Sequence, residues 1–134
     1  MTAAARIEPH WLEVEVALAI HDRQLAEHGG GVGVRNRGML ESALARPINA
    51  WNYGVDDPAA LAAAYAFGVA RNHPFVDGNK RTAWVLARLF LAFNDHALSF
   101  AAEEAIAAML ALAAGDLSEE EMADWFRGHL APAP

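Results

Sequence analysis

Asp57 to Phe93 reads DPAALAAAYAFGVARNHPFVDGNKRTAWVLARLFLAF, two alanine- and leucine-rich runs on either side of a short polar stretch. Asp57 followed by Pro58 is a helix start, the carboxylate serving as N-cap and the proline taking the first helical position, and the run continues to about Asn72. Leu61, Ala64, Tyr65, Gly68 and Val69 share one face of it, with Gly68 pointing to a close helix approach rather than a break. Pro74 disfavours helical geometry at His73, so the helix is expected to end there, and Gly78 lets the chain turn before the second run. In that run Ala83, Leu86, Ala87, Phe90 and Phe93 form a stripe flanked by Val85 and Leu89. So wide an apolar face predicts the central, surrounded helix of the domain.

Outward from this pair the pattern stays helical. A first helix is expected from Pro9 to His28, with Leu12, Val16, Ala19, Ile20 and Leu25 at helical spacing and Gly29-Gly30-Gly31 as its stop. Asn36 caps a short helix through Arg46, with Met39, Leu40, Ala43 and Leu44 as its buried stripe and Pro47 as its end. Ile48 to Asp56 reads as a loop packed by Trp51 and Tyr53, and His96 to Phe100 as an extended link. Ala101 to Ala114 is a helix stopped by Gly115, and Ser118-Glu-Glu-Glu121 is a capping box opening the last helix, which holds Met122, Trp125, Phe126 and Leu130. With no strand pattern of useful length, the fold class is all-α. It is a compact single-domain bundle of about six helices spanning residues 1–134, with a disordered tail over about 131–134.

Composition narrows the function. The chain has 134 residues, 54% of them hydrophobic, and no cysteine, which excludes a disulfide scaffold, a zinc–thiolate site and a thiol nucleophile. A net charge of −7 argues against direct nucleic acid binding, because proteins that neutralise backbone phosphates concentrate Lys and Arg on one face. The N-terminus lacks the basic and apolar regions of a signal peptide, and charges punctuate every long apolar segment, so a cytoplasmic protein without a membrane span is expected.

Chemistry concentrates in His73-Pro-Phe-Val-Asp-Gly-Asn-Lys-Arg-Thr-Ala83. Backbone N–H groups at a helix N-terminus lack intrahelical partners and carry the positive end of the dipole, so the Gly78-Asn79-Lys80-Arg81 turn suits a phosphate. A neutral His73 imidazole can accept the proton of an attacking hydroxyl, and Asp77 can hold Mg²⁺ together with phosphate oxygens. Asn79, Lys80 and Arg81 would neutralise charge on a transferring phosphoryl group. An equal alternative for Asp77 is capping of the following helix. Lys80 and Arg81 as ordinary surface charges fit less well, since cations at a helix N-terminus oppose the dipole. Phe75 reads as a core anchor. His21-Asp22 invites a metal reading as in some phosphohydrolases, but without a second histidine pair at ligand spacing a polar helix face is preferred. The glycine-dense Gly29–Asn36 stretch matches no phosphate-loop pattern and reads as a connector, with a lid as the functional alternative.

The His73–Ala83 stretch resembles the signature of the Fic/Doc superfamily, in the variant carried by the death-on-curing toxins of type II toxin–antitoxin systems. His21-Asp22, Gly29-Gly30, Gly33-Val34-Arg35, Leu40 to Pro47 and Tyr53-Gly54 resemble the N-terminal half of those proteins, so the likeness covers about residues 10 to 95. It implies His73 as general base, Asp77 as Mg²⁺ ligand, and Asn79, Lys80 and Arg81 as binders of ATP phosphates. Fic nucleotidyltransferases have glycine where this chain has Lys80, and a second arginine where it has Trp84. The lysine variant accompanies reversed nucleotide binding and γ-phosphate transfer, with elongation factor Tu as the target. The resemblance thus implies an ATP-dependent protein Ser/Thr kinase that halts translation. The runner-up is nucleotidyl transfer, and a non-catalytic helical binding module is a third reading. The inhibitory helix of self-restrained Fic proteins has its nearest counterpart in Ser99 to Glu103, followed by Glu104 where the pattern needs Gly or Asn. Restraint is therefore expected from a separate antitoxin whose helix lies in an apolar groove.

Overall fold

The computed structural model describes residues 6–131, which hold six helices and no strand beyond two isolated bridges. They are α1 (Val14–His28), α2 (Arg37–Asn52), α3 (Pro58–Asn72), α4 (Asn79–Phe93), α5 (Ala102–Ala114) and α6 (Glu119–His129). The all-α expectation holds, and the cap signals place several ends. Asp57 accepts the Ala59 N–H, Ser118 and Glu121 close a full capping box, and Gly115 takes a left-handed φ of 87° after α5.

The centre of the bundle is a correction. α3, which precedes the polar stretch, packs against α2, α4, α5 and α6, and is buried nearly all round from Ala59 to Ala70. α4 buries one broad face and leaves Phe93 48% exposed. The reason is side-chain size: alanines at 59, 62, 63, 64, 66 and 70 let neighbours approach from every side, which the bulkier α4 does not allow.

Two further expectations are revised. α1 begins at Val14, because Trp11 and Leu12 are used in an extended segment: Leu12 N–H donates to the buried Tyr65 hydroxyl at 3.0 Å and Trp11 stacks on Phe90. Burial raises that Tyr65 hydroxyl to a pKa of about 12. The buried face of α1 is Ala17, His21 and Gln24, with Ala19 exposed. α2 runs through Pro47 to Asn52, so Trp51 lies on a helix, while Tyr53 caps it and stays 92% exposed. The stripe of Leu40, Ala43, Leu44, Pro47 and Trp51 keeps helical spacing across the proline, and its burial offsets the missing hydrogen bond. Pro47 leaves the Ala43 carbonyl without a helical donor, and it is there that Gly68 approaches. A Cβ on Gly68 would stand 3.0 Å from Ala43 Cα and 3.1 Å from its oxygen.

The remaining ties link α6 to its neighbours. Arg46 of α2 forks onto Glu119 at 3.0 and 2.5 Å, and Arg127 pairs with the α3 cap Asp57. His129 presents Nδ1 to the Trp125 carbonyl and Nε2 to Glu104, so both nitrogens face acceptors and the protonated ring is favoured, raising its pKa. Ala131, the first residue of the expected tail, donates its N–H to Ala97 O at 2.8 Å, and the rest of that tail lies outside the described residues. Among the described residues no helix is long and apolar enough to cross a membrane.

The α2–α3 contact yields a paired expectation in urea unfolding. Gly68→Val lowers stability by about 1–3 kcal/mol through overpacking. Gly128→Ala, where an added Cβ meets nothing within 4 Å, raises it by up to about 1 kcal/mol.

Candidate active site

The turn between α3 and α4 is built around Phe75. Its side chain is 1% exposed, and its backbone N–H and C=O both bond to the Asn79 side chain, at 2.9 and 3.0 Å. This closes the polar stretch into a compact loop that sends the chain into α4. His73 ends α3 in the left-handed region, φ 48° and ψ 55°, uncommon for a residue with a Cβ. Arg35 braces it: Nε donates to His73 O at 2.7 Å and the guanidinium also reaches Asn72 O at 2.9 Å.

The glycine-dense stretch lies along this turn. Val34 and Phe75 form an antiparallel bridge, Arg35 and Asn36 N–H groups both reach Pro74 O, and Val76 N–H reaches Gly33 O. Gly30 has a φ of 125°, and a Cβ there would come within 2.9 Å of an Asp77 carboxylate oxygen. Glycine is required at that position by backbone and space alike.

Asp77 does not cap α4. The N-cap is Gly78, φ 77°, with no side-chain cap bond, and the Asp77 carboxylate instead accepts the N–H groups of Gly78 at 2.8 Å and Gly31 at 3.3 Å. Those two donors, then the nearby Arg81 guanidinium, hold its carboxyl below the usual carboxylate range. It is exposed and ionised. Among the described residues no three His, Cys, Asp or Glu side chains gather to hold a metal. A lone carboxylate suits Mg²⁺, which keeps waters and takes its other ligands from substrate phosphates.

A cavity of about 600 Å³ opens over the start of α4. Its polar end carries His73, Asp77, Gly78, Asn79, Lys80 and Arg81, so the sequence-derived candidates come together at one place. Trp84 and Phe100, with Ala105, Ile106, Met109 and Leu110, line its apolar side. Lys80 and Arg81 are exposed, and the ion pairs among the described residues use other side chains. Asn79 is 7% exposed with its amide committed to Phe75, so its backbone N–H is what it can offer a phosphate. Trp84 is half-buried, stacked on Phe126 and edge-on to Phe100 and Trp125. A second concavity of about 540 Å³, bordered by Ala111, Ala114 and Asp116, shares His73 and Lys80 with the first. Ser99 and Glu103 do not line the main cavity.

The preferred reading of His21 as part of a polar helix face is overturned. It is buried, stacked on Phe75, and bonded through Nε2 to Asp77 O at 2.8 Å, while Asp22 is exposed. Its position on the same helical face as Ala17 and Gln24 was the available signal, since all three are buried.

This arrangement sits within a known sequence pattern. That of the Fic/DOC family matches residues 11–91, which takes in α1 to most of α4. The chain belongs to the Fic/DOC family. Within it the likeness is to Doc toxins. "Toxin Doc" of Mycolicibacterium smegmatis is 52% identical over 69 residues, 49% of this chain and 52% of that protein. "Protein kinase doc" of Escherichia phage P1 is 32% identical over 114 residues, covering 84% of this chain and 90% of that protein. The match thus spans about half the length of the first relative and most of the second.

The geometry separates two kinds of residue. Asn79→Ala removes both partners of buried Phe75 backbone groups and lowers stability by about 1–3 kcal/mol for each group left unpaired. Lys80→Ala, at an exposed position, leaves the unfolding midpoint within about 0.5 kcal/mol of the parent. Chemical denaturation of both variants checks the difference.

Proposed function

We propose that this protein is a Doc-like toxin kinase that transfers the γ-phosphate of ATP to a hydroxyl of a protein target, and that a cognate antitoxin restrains it. The observation that carries the reading is Lys80. It stands with Arg81 in the first turn of α4, exposed and lining the cavity that His73 and Asp77 also line. Positive charge at a helix N-terminus is not explained by stability, whereas a terminal phosphate there would meet two cations and free backbone N–H groups. Trp84 supports the same direction: where nucleotidyltransferases of the family place a second arginine, this chain packs an indole among Phe100, Trp125 and Phe126. Without that cation the α-phosphate loses a partner, and the terminal phosphate becomes the one presented to the acceptor.

In this reading the target hydroxyl approaches His73, which borders both concavities, and the imidazole takes its proton as the oxygen bonds to the γ-phosphorus. The bond from that phosphorus to the bridging oxygen breaks and ADP leaves. Lys80, Arg81 and the N–H groups of the first α4 turn neutralise the charge spreading over the phosphoryl oxygens. Asp77 would hold Mg²⁺ against the nucleotide phosphates, and the metal would draw charge from the leaving group. Among the described residues no group hydrogen-bonds the His73 ring, which leaves it available to a substrate hydroxyl.

In this reading the target is elongation factor Tu, as the family resemblance implies, and the action would lie in the cytoplasm, with translation and growth as the processes halted. Ile106 and Leu110 of α5, 61% and 52% exposed at the edge of the cavity, fit the apolar groove in which an antitoxin helix would lie and close off the site.

ATP labelled at either the α- or the γ-phosphate tests the reaction with the candidate target. The γ-label is expected to appear on the protein target, and His73→Ala is expected to lower its transfer by about 100- to 10,000-fold. Transfer of the α-label would overturn the kinase reading.

A further inference from the structure

The proposed reaction makes no use of His21, yet this buried side chain touches the loop that carries Asp77. Its ring is 2% exposed and lies parallel to Phe75, with centroids 3.7 Å apart and 6° between the planes. Nε2 stands 2.8 Å from the Asp77 carbonyl oxygen. A carbonyl only accepts, so Nε2 bears the proton and donates. The contact joins the middle of α1 to a turn far along the chain, and ring atoms also lie 3.8 Å from where a Gly78 side chain would begin.

The consequence follows from peptide planarity. The Asp77 C=O and the Gly78 N–H belong to one rigid trans unit and point in opposite directions. Drawing the carbonyl down towards α1 therefore turns the N–H up, and that N–H is the one that binds the Asp77 carboxylate at 2.8 Å. Other ties act on Pro74 through the Arg35 and Asn36 N–H groups, on Phe75 through Asn79, on Val76 through Gly33 and on the Asp77 carboxylate through the Gly31 N–H; the Asp77–Gly78 peptide itself is held by His21.

We propose that His21 is a positioning residue for Asp77: by fixing the Asp77–Gly78 peptide plane from beneath, it aims the Gly78 N–H at the carboxylate and holds that carboxylate towards the cavity. The role in catalysis rests on the reading of Asp77 as the metal-holding group, while the positioning itself does not. A histidine that merely fills space would be replaced without consequence by an aromatic ring of similar size. A positioning histidine needs its donor.

The test follows the Asp77 carboxyl by ¹³C NMR pH titration in the protein without nucleotide, comparing the parent with His21→Phe and His21→Gln. Phenylalanine keeps the stack on Phe75 and loses the donor, whereas glutamine keeps an N–H near the place of Nε2. In the parent, the Gly78 and Gly31 N–H groups hold the Asp77 carboxyl below the ordinary carboxylate range. His21→Phe is expected to raise it above the parent and His21→Gln to leave it low. Binding of Mn²⁺ with a nucleotide is expected to weaken about tenfold or more in His21→Phe and to stay near the parent in His21→Gln. An unshifted Asp77 in His21→Phe, or equal shifts in both variants, would overturn the proposal. If His21→Phe does not fold, His21→Asn takes its place, its amide being too short to reach the Asp77 oxygen. Asp77 is then expected to rise in His21→Asn and not in His21→Gln, and equal behaviour overturns the idea. The titration requires no phosphoryl transfer, so failure of the kinase reading and failure of this one give different results.

Discussion

Burial of Phe75 is the constraint on which the site depends. A loop that turns from one helix into the next exposes backbone groups and costs ordering entropy, and it keeps one shape only if something anchors it. Here the anchor is a single aromatic side chain, gripped from below by the His21 ring and closed by the Asn79 amide across its own backbone. The glycine stretch before α2 then adds the Val34–Phe75 bridge along the same residue. With Phe75 pinned, His73, Asp77 and the start of α4 are tied through the loop to the helical core.

That pinning lets unfavourable local features persist. His73 holds a left-handed backbone conformation, and Lys80 and Arg81 sit at the positive end of α4 outside the ion pairs found among the described residues. Neither serves the fold. Both become reasonable where an anion docks against the first turn of α4 and a hydroxyl approaches His73. Strain and uncompensated charge gathered at one cavity mouth are the signs by which a binding site differs from a stable surface.

Where local rules and tertiary packing agreed, the fold was legible in the sequence. The span of α3 follows from Asp57-Pro58 and His73-Pro74, and the start of α6 from the Ser118–Glu121 box, because capping is decided within a few residues. Reading failed where distant packing overrode a local signal. Pro47 looked like an end, but the stripe from Leu40 to Trp51 is buried on both sides of it. The most apolar-striped helix looked central, but the small side chains of α3 gave it more neighbours than α4. The candidate residues within His73–Arg81 were legible as one cluster because loop, turn and helix start are adjacent in the chain. The contact from His21 to this turn was not, since its partner is a backbone carbonyl in a different element and leaves no pattern in spacing. Asn79 was legible as a candidate, but the commitment of its amide to Phe75 was not.

What distinguishes a kinase from a nucleotidyltransferase on this scaffold is which phosphate meets the first turn of α4. The most direct measurement is a crystal structure of the protein with Mg²⁺ and a non-hydrolysable ATP analogue. The terminal phosphate is expected on the α4 N–H groups between Lys80 and Arg81, facing the His73 ring, with the metal on Asp77. An α-phosphate in that place, with the terminal phosphate directed away from His73, would contradict it.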